Sequence, residues 1–171
     1  MKAKLTILFL LISLFTVGVV AAAPGGENRN FVAHLTGDQE APTPVDTQAQ
    51  GQAKFQLSKD GTELHFKLIV ASIENVTQAH IHCGAPGTAG PVVAFLYPAG
   101  PPPVLISGSF SGVLSEGTIT DANIIPRPDS AQCPGGVADF NDLIEKIGSG
   151  EAYVNVHTTA FPGGEIRGVI R

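Results

Sequence analysis

Strict alternation of apolar and polar residues is the feature that most restricts the fold of this chain. From Ala49 to Leu57 every second residue is Ala, Gly, Phe or Leu, and the residues between them are Gln or Lys. Successive side chains of a β-strand point to opposite faces, so this pattern predicts a strand with one buried and one wet face. Lys59-Asp60-Gly61 is a turn signal, and the alternation resumes at Leu64, which predicts a hairpin.

Further strand-like segments follow, and Gly and Pro separate them. The predicted strands are 31–36, 49–57, 64–70, 76–83, 92–97, 108–114, 117–120, 152–158 and 165–170. One segment near 139–148 instead has the spacing of a short helix, which Asp139 can cap and Gly148 can end. The sequence therefore predicts an all-β fold, an antiparallel Greek-key β-sandwich with one short helix.

The start of the chain has the order of a secretory signal peptide. Two lysines precede an apolar run from Leu5 to Val20, and small residues follow. We expect cleavage after Ala22, a flexible lead over 23–29 and one domain over 30–171. No membrane span is expected after cleavage. The predicted location is outside the cell, or in the periplasm or cell envelope of a Gram-negative host.

Charge and composition exclude several functions. Without the two lysines of the signal peptide, eight basic residues face fifteen acidic ones, a net charge of −7. This charge argues against nucleic acid or an anionic membrane as a partner. The chain has no tryptophan, so a large aromatic platform for sugars is not expected.

Two cysteines in an exported chain predict a disulfide between Cys83 and Cys133. The bridge would anchor the Pro-rich loop 125–136 to a strand. The alternative is that the Cys83 thiolate binds a metal beside His82. Alternation places these neighbours on opposite faces of a strand, which favours the disulfide.

Three histidines lie on the polar sides of two apolar strands. His80 and His82 are two residues apart on one predicted strand, and His157 is on another. Three neutral imidazoles on neighbouring strands could bind copper or zinc. Alternatively, they form a structural cluster by bonding to one another, to Asn155 and to loop carbonyls. The other two histidines, His34 and His65, are predicted to lie at the surface.

Polar residues near His157 extend this region. Asn155 precedes His157 on the same face of its strand, while Glu165 and Arg167 share a face of the last strand. We expect a polar cluster of Asn155, Glu165 and Arg167 in which the last two form an ion pair. Asp38 and Glu40 could supply a carboxylate ligand, but we expect both to be solvated turn residues.

Two remaining features concern modification and catalysis. Asn75-Val76-Thr77 is a sequon for N-glycosylation in a host that glycosylates exported proteins. No catalytic residue is predicted, because no Gly-x-Ser-x-Gly elbow precedes a helix and both cysteines are expected to be paired. A non-catalytic protein is favoured, with enzymatic activity left open.

Three motifs in order resemble the CHRD domain, which occurs repeated in chordin and alone in many secreted microbial proteins. They are Leu35–Glu40, Ala79–Gly87 with the following Gly90–Val93, and Ala152–Thr158 with the following Phe161–Gly168. The resemblance implies an extracellular β-sandwich over residues 30–171. It favours a secreted, non-catalytic binding or structural module whose partner is an extracellular protein or matrix ligand. It leaves the oligomeric state open.

A weaker similarity of fold connects such domains to copper–zinc superoxide dismutases, which also carry a His-x-His strand and a later histidine. It implies an immunoglobulin-like or superoxide dismutase-like barrel. It also makes copper or zinc binding by His80, His82 and His157 the alternative function. The segment from Cys83 to Pro91 contains no histidine that could bridge two metals, so redox cycling of superoxide is not predicted.

Overall fold

A computed structural model describes residues 29–171, which form seven strands and one helix around an apolar core. The predicted signal peptide (1–22) and all but the last residue of the predicted lead (23–29) lie outside the described residues. The elements are β1 Asn30–Thr36, β2 Gln50–Leu57, β3 Leu64–Cys83, β4 Val92–Tyr97, β5 Ile106–Ile119, α1 Phe140–Ser149, β6 Ala152–Thr158 and β7 Ile166–Val169.

Five of these strands close a barrel in which every pairing is antiparallel. Strand β1 pairs with β2 and β7, β3 pairs with β2 and β6, and β6 pairs with β7. Strands β5 and β4 extend the sheet from the first and last parts of β3, respectively. The all-β prediction with one short helix is confirmed.

The prediction of two separate strands over 64–70 and 76–83 is wrong, because both segments belong to β3, one strand of 20 residues. Between these segments Ser72 and Asn75 have positive φ angles, and the ladder to β5 shifts register there. These irregularities redirect the strand without ending it. The predicted strands 108–114 and 117–120 are likewise joined in one strand, β5, which ends at Ile119.

The predicted register of the first hairpin is correct. Phe55 lies opposite Phe66, and both point to the apolar side. Phe66 is half-buried, whereas the remaining residues predicted to be inward are buried: Phe55, Leu64, Leu68, Val70, Ile81, Val154 and Val156. On the other face of β2, Lys54 is exposed and Gln52 is half-buried.

Helix α1 begins as predicted and ends later than predicted. The Asp139 side chain accepts a hydrogen bond from the Asp142 backbone N–H, which caps the first turn. The helix continues past Gly148 to Ser149, and Gly150 adopts the left-handed conformation (φ 75°) that ends it. No helix within residues 29–171 is long and apolar enough to cross a membrane.

The predicted disulfide is present. Cys83, the last residue of β3, is bonded to Cys133, and their Cα atoms are 5.4 Å apart. The bridge fixes the loop before α1 against the end of β3. It therefore anchors the backbone immediately beside His82.

Candidate metal centre

The three histidines lie on the outer face of the barrel, on strands β3 and β6. Ile81 points into the core between His80 and His82, and Val156 does the same beside His157. Despite facing outward, the three side chains are buried, with 4%, 8% and 6% exposure for His80, His82 and His157. Other segments of the chain therefore cover the histidines on the solvent side, and we call these segments the roof.

Three connecting segments form this roof. The segment after β1 brings Glu40 to Asn155, the loop between β3 and β4 brings Gly90 to His82, and the turn after β6 brings Pro162 to His157. Two of these approaches require glycine. A Cβ atom at Gly90 would overlap the Cys83 carbonyl, and one at Gly164 would overlap the Asn155 side-chain amide.

Backbone carbonyls fix the orientation of two of the imidazole rings. The Nδ1 atom of His82 lies 2.9 Å from the Gly90 carbonyl oxygen, and Nδ1 of His157 lies 2.9 Å from that of Pro162. Because a carbonyl oxygen only accepts hydrogen bonds, each Nδ1 carries the proton and donates. In the neutral rings, the lone pair is then on Nε2.

The third imidazole completes the arrangement. Nδ1 of His80 lies 3.2 Å from Nε2 of His157, which holds a lone pair, so Nδ1 of His80 is the donor. The lone pair of His80 is then on its Nε2. Both this atom and Nε2 of His82 are buried without a hydrogen-bond partner. Unsatisfied buried polar atoms are uncommon in folded proteins and cost about 1–3 kcal/mol each.

The nitrogens of the three candidate ligands converge. One nitrogen from each of His80, His82 and His157 lies within 4.8 Å of the other two. Two nitrogens bound to one ion at about 2.0–2.1 Å would lie roughly 3.3–3.6 Å apart, so the 3.2 Å between His80 and His157 needs little adjustment. Among residues 29–171, no other group of three or more His, Cys, Asp or Glu side chains is placed to share one ion.

Burial keeps the imidazoles uncharged. It lowers the pKa of His80 to about 3, with smaller effects from His157 and His82, and lowers the pKa of His82 to about 4. Burial also lowers the pKa of His157, which the bond to the Pro162 carbonyl partly offsets. Neutral imidazole is the form that binds metals.

Two aromatic rings enclose the cluster. Phe95 meets His80 edge to face, with 4.9 Å between ring centroids, and Tyr153 stacks on His82 at 4.8 Å. The Tyr153 hydroxyl accepts a hydrogen bond from the Gly90 N–H. Half-buried Phe95 and buried Tyr153 thus give the cluster apolar neighbours on these two sides.

A second layer of buried polar residues adjoins the histidines. The Asn155 side-chain amide donates to both Glu40 carboxylate oxygens at 3.0 Å, and the Arg167 guanidinium stacks 3.5 Å over the Tyr153 ring. Burial raises the pKa of Glu40 to about 7, although Arg167 and Asn155 oppose this effect. The prediction that Glu40 is a solvated turn residue is wrong, since it is 7% exposed.

The predicted polar cluster is buried, but its members have other partners. Glu165 accepts hydrogen bonds from Thr47 and Thr158 at 2.7 Å each. Within the described part of the chain, no ion pair joins it to Arg167, so that expectation is wrong. The turn before β7 directs Glu165 to hydroxyl donors, and Arg167 faces Tyr153 and Glu40 instead.

The other candidate residues lie away from this centre. His34 and His65 are exposed, as predicted, and His65 contacts Thr118 at 2.9 Å. Asn75, the residue of the sequon, is half-buried, and its Oδ1 accepts from the Gly108 N–H. Its glycosylation stays a prediction.

The sequence indicates the three candidate ligands and Asn155, but it does not predict that Phe95 and Tyr153 lie beside them or that Glu40 is buried there. Tyr153 had a usable signal, because it precedes Asn155 and His157 by two and four residues on β6. Glu40 had only its carboxylate as a signal, because a loop brings it to the site, and Phe95 had none, because a cross-strand pairing places it there.

Comparison with known proteins identifies one family. The family model described as the CHRD domain matches residues 31–170, nearly the whole described structure. No curated protein and no solved structure matches the chain.

Proposed function

Because the chain belongs to the CHRD-domain family, an extracellular-type domain, and carries a convergent histidine cluster, we propose that it is a secreted protein that binds one copper or zinc ion at His80, His82 and His157. The disulfide fits an oxidising compartment. The signal-like start of the chain supports secretion. That its partner is an extracellular protein or matrix ligand stays a prediction from the family.

One observation carries the metal proposal. The lone pairs of His80 Nε2 and His82 Nε2 are buried and unpartnered, although ring nitrogens of these two residues and of His157 lie within 4.8 Å of one another. A purely structural cluster would use its lone pairs internally. An ion bound here would occupy a lone pair of each ring and remove at least one unsatisfied atom from the fold.

The existing hydrogen bonds prepare the rings for binding. The Gly90 and Pro162 carbonyls hold the protons on Nδ1, which leaves Nε2 of His82 and of His157 available as ligands. Hydrogen bonds of this kind commonly orient metal-binding histidines. Binding through Nδ1 of His80 would only move that ring's proton to its Nε2, so no proton need be released.

The test uses the exported protein after treatment with a chelator. The melting temperature is measured with Zn(II), with Cu(II) and, in the absence of oxygen, with Cu(I). At a free concentration of about 100 times Kd, one ion adds about 2.7 kcal/mol to the free energy of unfolding, or roughly 5–10 °C for a domain of this size.

The variants His82→Ala and His157→Ala should lose the metal-dependent shift, whatever their own stability. His65→Ala is the matched control, since His65 is an exposed histidine on the same strand, and it should keep the shift. No shift with any of the three ions, or an equal shift in His82→Ala, would leave the histidines with a structural role alone.

A further inference from the structure

The donor set of the site defines what kind of ion it can hold. The three candidate ligands are neutral nitrogens, and within residues 29–171 no carboxylate, thiolate or further imidazole joins their group. The nearest polar side chains, Asn155 and Tyr153, bring neither a charge nor a further nitrogen lone pair, although Oδ1 of Asn155 is buried without a hydrogen-bond partner. Asn155 donates to Glu40, and the Tyr153 hydroxyl bonds to Gly90.

A fourth ligand from solvent has little access to this position. Zn(II) in proteins is almost always four-coordinate, and where the protein supplies three ligands a water or substrate takes the fourth position. Here His80 and His82 are 4% and 8% exposed, and the roof residues Glu40, Gly90 and Pro162 contact Asn155, His82 and His157, respectively. The rings of Phe95 and Tyr153 lie against His80 and His82, respectively.

The surrounding charge disfavours a divalent ion. The guanidinium of Arg167 lies on the Tyr153 ring, which itself stacks on His82. Arg127 donates to the Val92 carbonyl, and Val92 is paired with His82 across the β3–β4 ladder. Both cations act electrostatically on His82.

The nearby acid offsets only part of this positive charge. Glu40 faces Arg167 and is held by Asn155. A divalent ion bound by neutral ligands beside two guanidinium groups meets twice the repulsion of a monovalent ion. Its charge also costs more to bury in an apolar enclosure.

Resting on the proposed metal site, we infer that the ion it selects is Cu(I), bound in a three-coordinate arrangement by His80, His82 and His157. Cu(I) is a monovalent ion that accepts three ligands, and imidazole suits copper. The arrangement of three neutral donors, a closed roof and two flanking arginines matches those requirements. Among residues 29–171, Zn(II) would find neither a fourth imidazole, thiolate or carboxylate in this group nor a ligand whose negative charge compensates its own.

The test is a competition in the absence of oxygen. The chelator-treated protein competes for Cu(I) supplied as its bathocuproine disulfonate complex, and separately for Zn(II) against a colorimetric zinc chelator. We expect Cu(I) to bind at least 100-fold more tightly than Zn(II). X-ray absorption of the Cu(I)-loaded protein should show three nitrogen ligands. His65→Ala should behave as wild type, and His157→Ala should lose Cu(I) binding.

A charge variant tests the second part of the argument. Arg127→Gln removes the half-buried loop cation, and it should raise Zn(II) affinity about tenfold relative to Cu(I) affinity. Arg167→Gln should act in the same direction, provided that its melting curve shows it to be folded. An unchanged ratio in Arg127→Gln would reject the role of the flanking charge.

The outcomes separate this inference from the proposal beneath it. Tighter binding of Zn(II) than of Cu(I), or a fourth ligand on Cu(I), would overturn the inference and leave a metal site at these histidines. Failure of every ion to bind would overturn both.

Discussion

Nδ1 of His157 donates to the carbonyl oxygen of Pro162 at 2.9 Å, so the turn that follows β6 determines which nitrogen of His157 faces His80. The same turn contains Gly164, which packs against Asn155 and Glu40. One short segment therefore controls both the tautomer of a candidate ligand and the packing of the polar layer beside it.

Alanine substitutions at two adjacent glycines of this turn should have very different effects. At Gly164, φ is +129° and a Cβ atom would overlap the Asn155 amide and lie 2.8 Å from Glu40 Oε1. We expect Gly164→Ala to lower the free energy of unfolding by about 2–4 kcal/mol, because strain and lost hydrogen bonds combine. Urea unfolding of both variants measures the difference.

The neighbouring Gly163 is the matched control. A Cβ atom there meets nothing within 4 Å, and its φ is not in the left-handed region. Gly163→Ala should change stability by less than about 0.5 kcal/mol, as surface substitutions usually do. Similar losses of stability in the two variants would mean that Gly164 does not pack closely against Asn155 and Glu40 as described.

Acid should destabilise the metal-free protein through the histidines. The pKa of His80 is about 3 and that of His82 about 4 in the folded protein, against 6.5 as the ordinary value. The stability that the neutral rings confer is present in full above pH 6.5. It is lost progressively as the pH falls from 6.5 toward those folded-state values. In this pH range the unfolded chain binds more protons than the folded protein. The free energy of unfolding therefore falls by up to about 1.4 kcal/mol per pH unit for each group.

Denaturant unfolding of the chelator-treated protein between pH 7.5 and 4 measures this loss. The double variant His80→Gln/His82→Gln should show a much shallower dependence, whereas His65→Gln should follow wild type. Parallel curves for wild type and the double variant would show that the folded and unfolded states bind protons equally at the two imidazoles, so that folding does not lower their pKa values.

Loss of the disulfide should cost about 4 kcal/mol in the chain-entropy model, because Cys83 and Cys133 are separated by 50 residues. The variant Cys83→Ala/Cys133→Ala should therefore unfold at lower urea concentration, and reduced wild type should resemble it. Thiol titration of the denatured, unreduced wild type should find no free thiol. A loss below about 1 kcal/mol would mean that the bridge does little to restrict the unfolded chain.

Cleavage of the first 22 residues is a prediction outside the described structure. N-terminal sequencing of the exported protein should find a start between Ala22 and Gly25. The basic start, apolar run and small residues give the physical reason. A mature protein that begins at Met1, or one retained in the cytosol, would contradict secretion.

Much of the fold could be predicted from local sequence because one face of each strand is buried. The period-two pattern of β2 fixed which side faces the core, and the opposition of Phe55 and Phe66 follows from it. The capped start of α1 was equally local, since Asp139 and the apolar spacing are adjacent in sequence.

Other features depend on contacts that the sequence does not reveal. Strand β3 continues through Ser72 and Asn75 because β5 pairs with it on both sides of the irregular positions. Tertiary pairing therefore overrides what reads locally as a break. Similarly, alternation predicted a polar face for His80 and Asn155, but not the roof that buries that face.

Glu40 illustrates the limit most clearly and gives a final prediction. It lies in a turn rich in polar residues, yet burial raises its pKa to about 7 from an ordinary value of 4.5. A raised folded-state pKa means that the folded protein binds the proton more tightly than the unfolded chain. The carboxyl group's contribution to stability is thus full below pH 4.5 and is lost as the pH rises through about 7, on the order of 1–3 kcal/mol.

The variant Glu40→Gln should remove this loss, because glutamine keeps an acceptor for the Asn155 amide and cannot ionise. Relative to wild type it should gain stability between pH 5 and pH 8, by urea unfolding after chelator treatment. The matched control Glu116→Gln changes an exposed carboxylate paired with Lys67, and it should show no such relative gain. A Glu40→Gln variant that instead loses stability relative to wild type as the pH rises over this range would contradict this prediction. It would mean that the interaction of the ionised carboxylate with Arg167 and Asn155 contributes more to the free energy of unfolding than burial of the carboxylate costs.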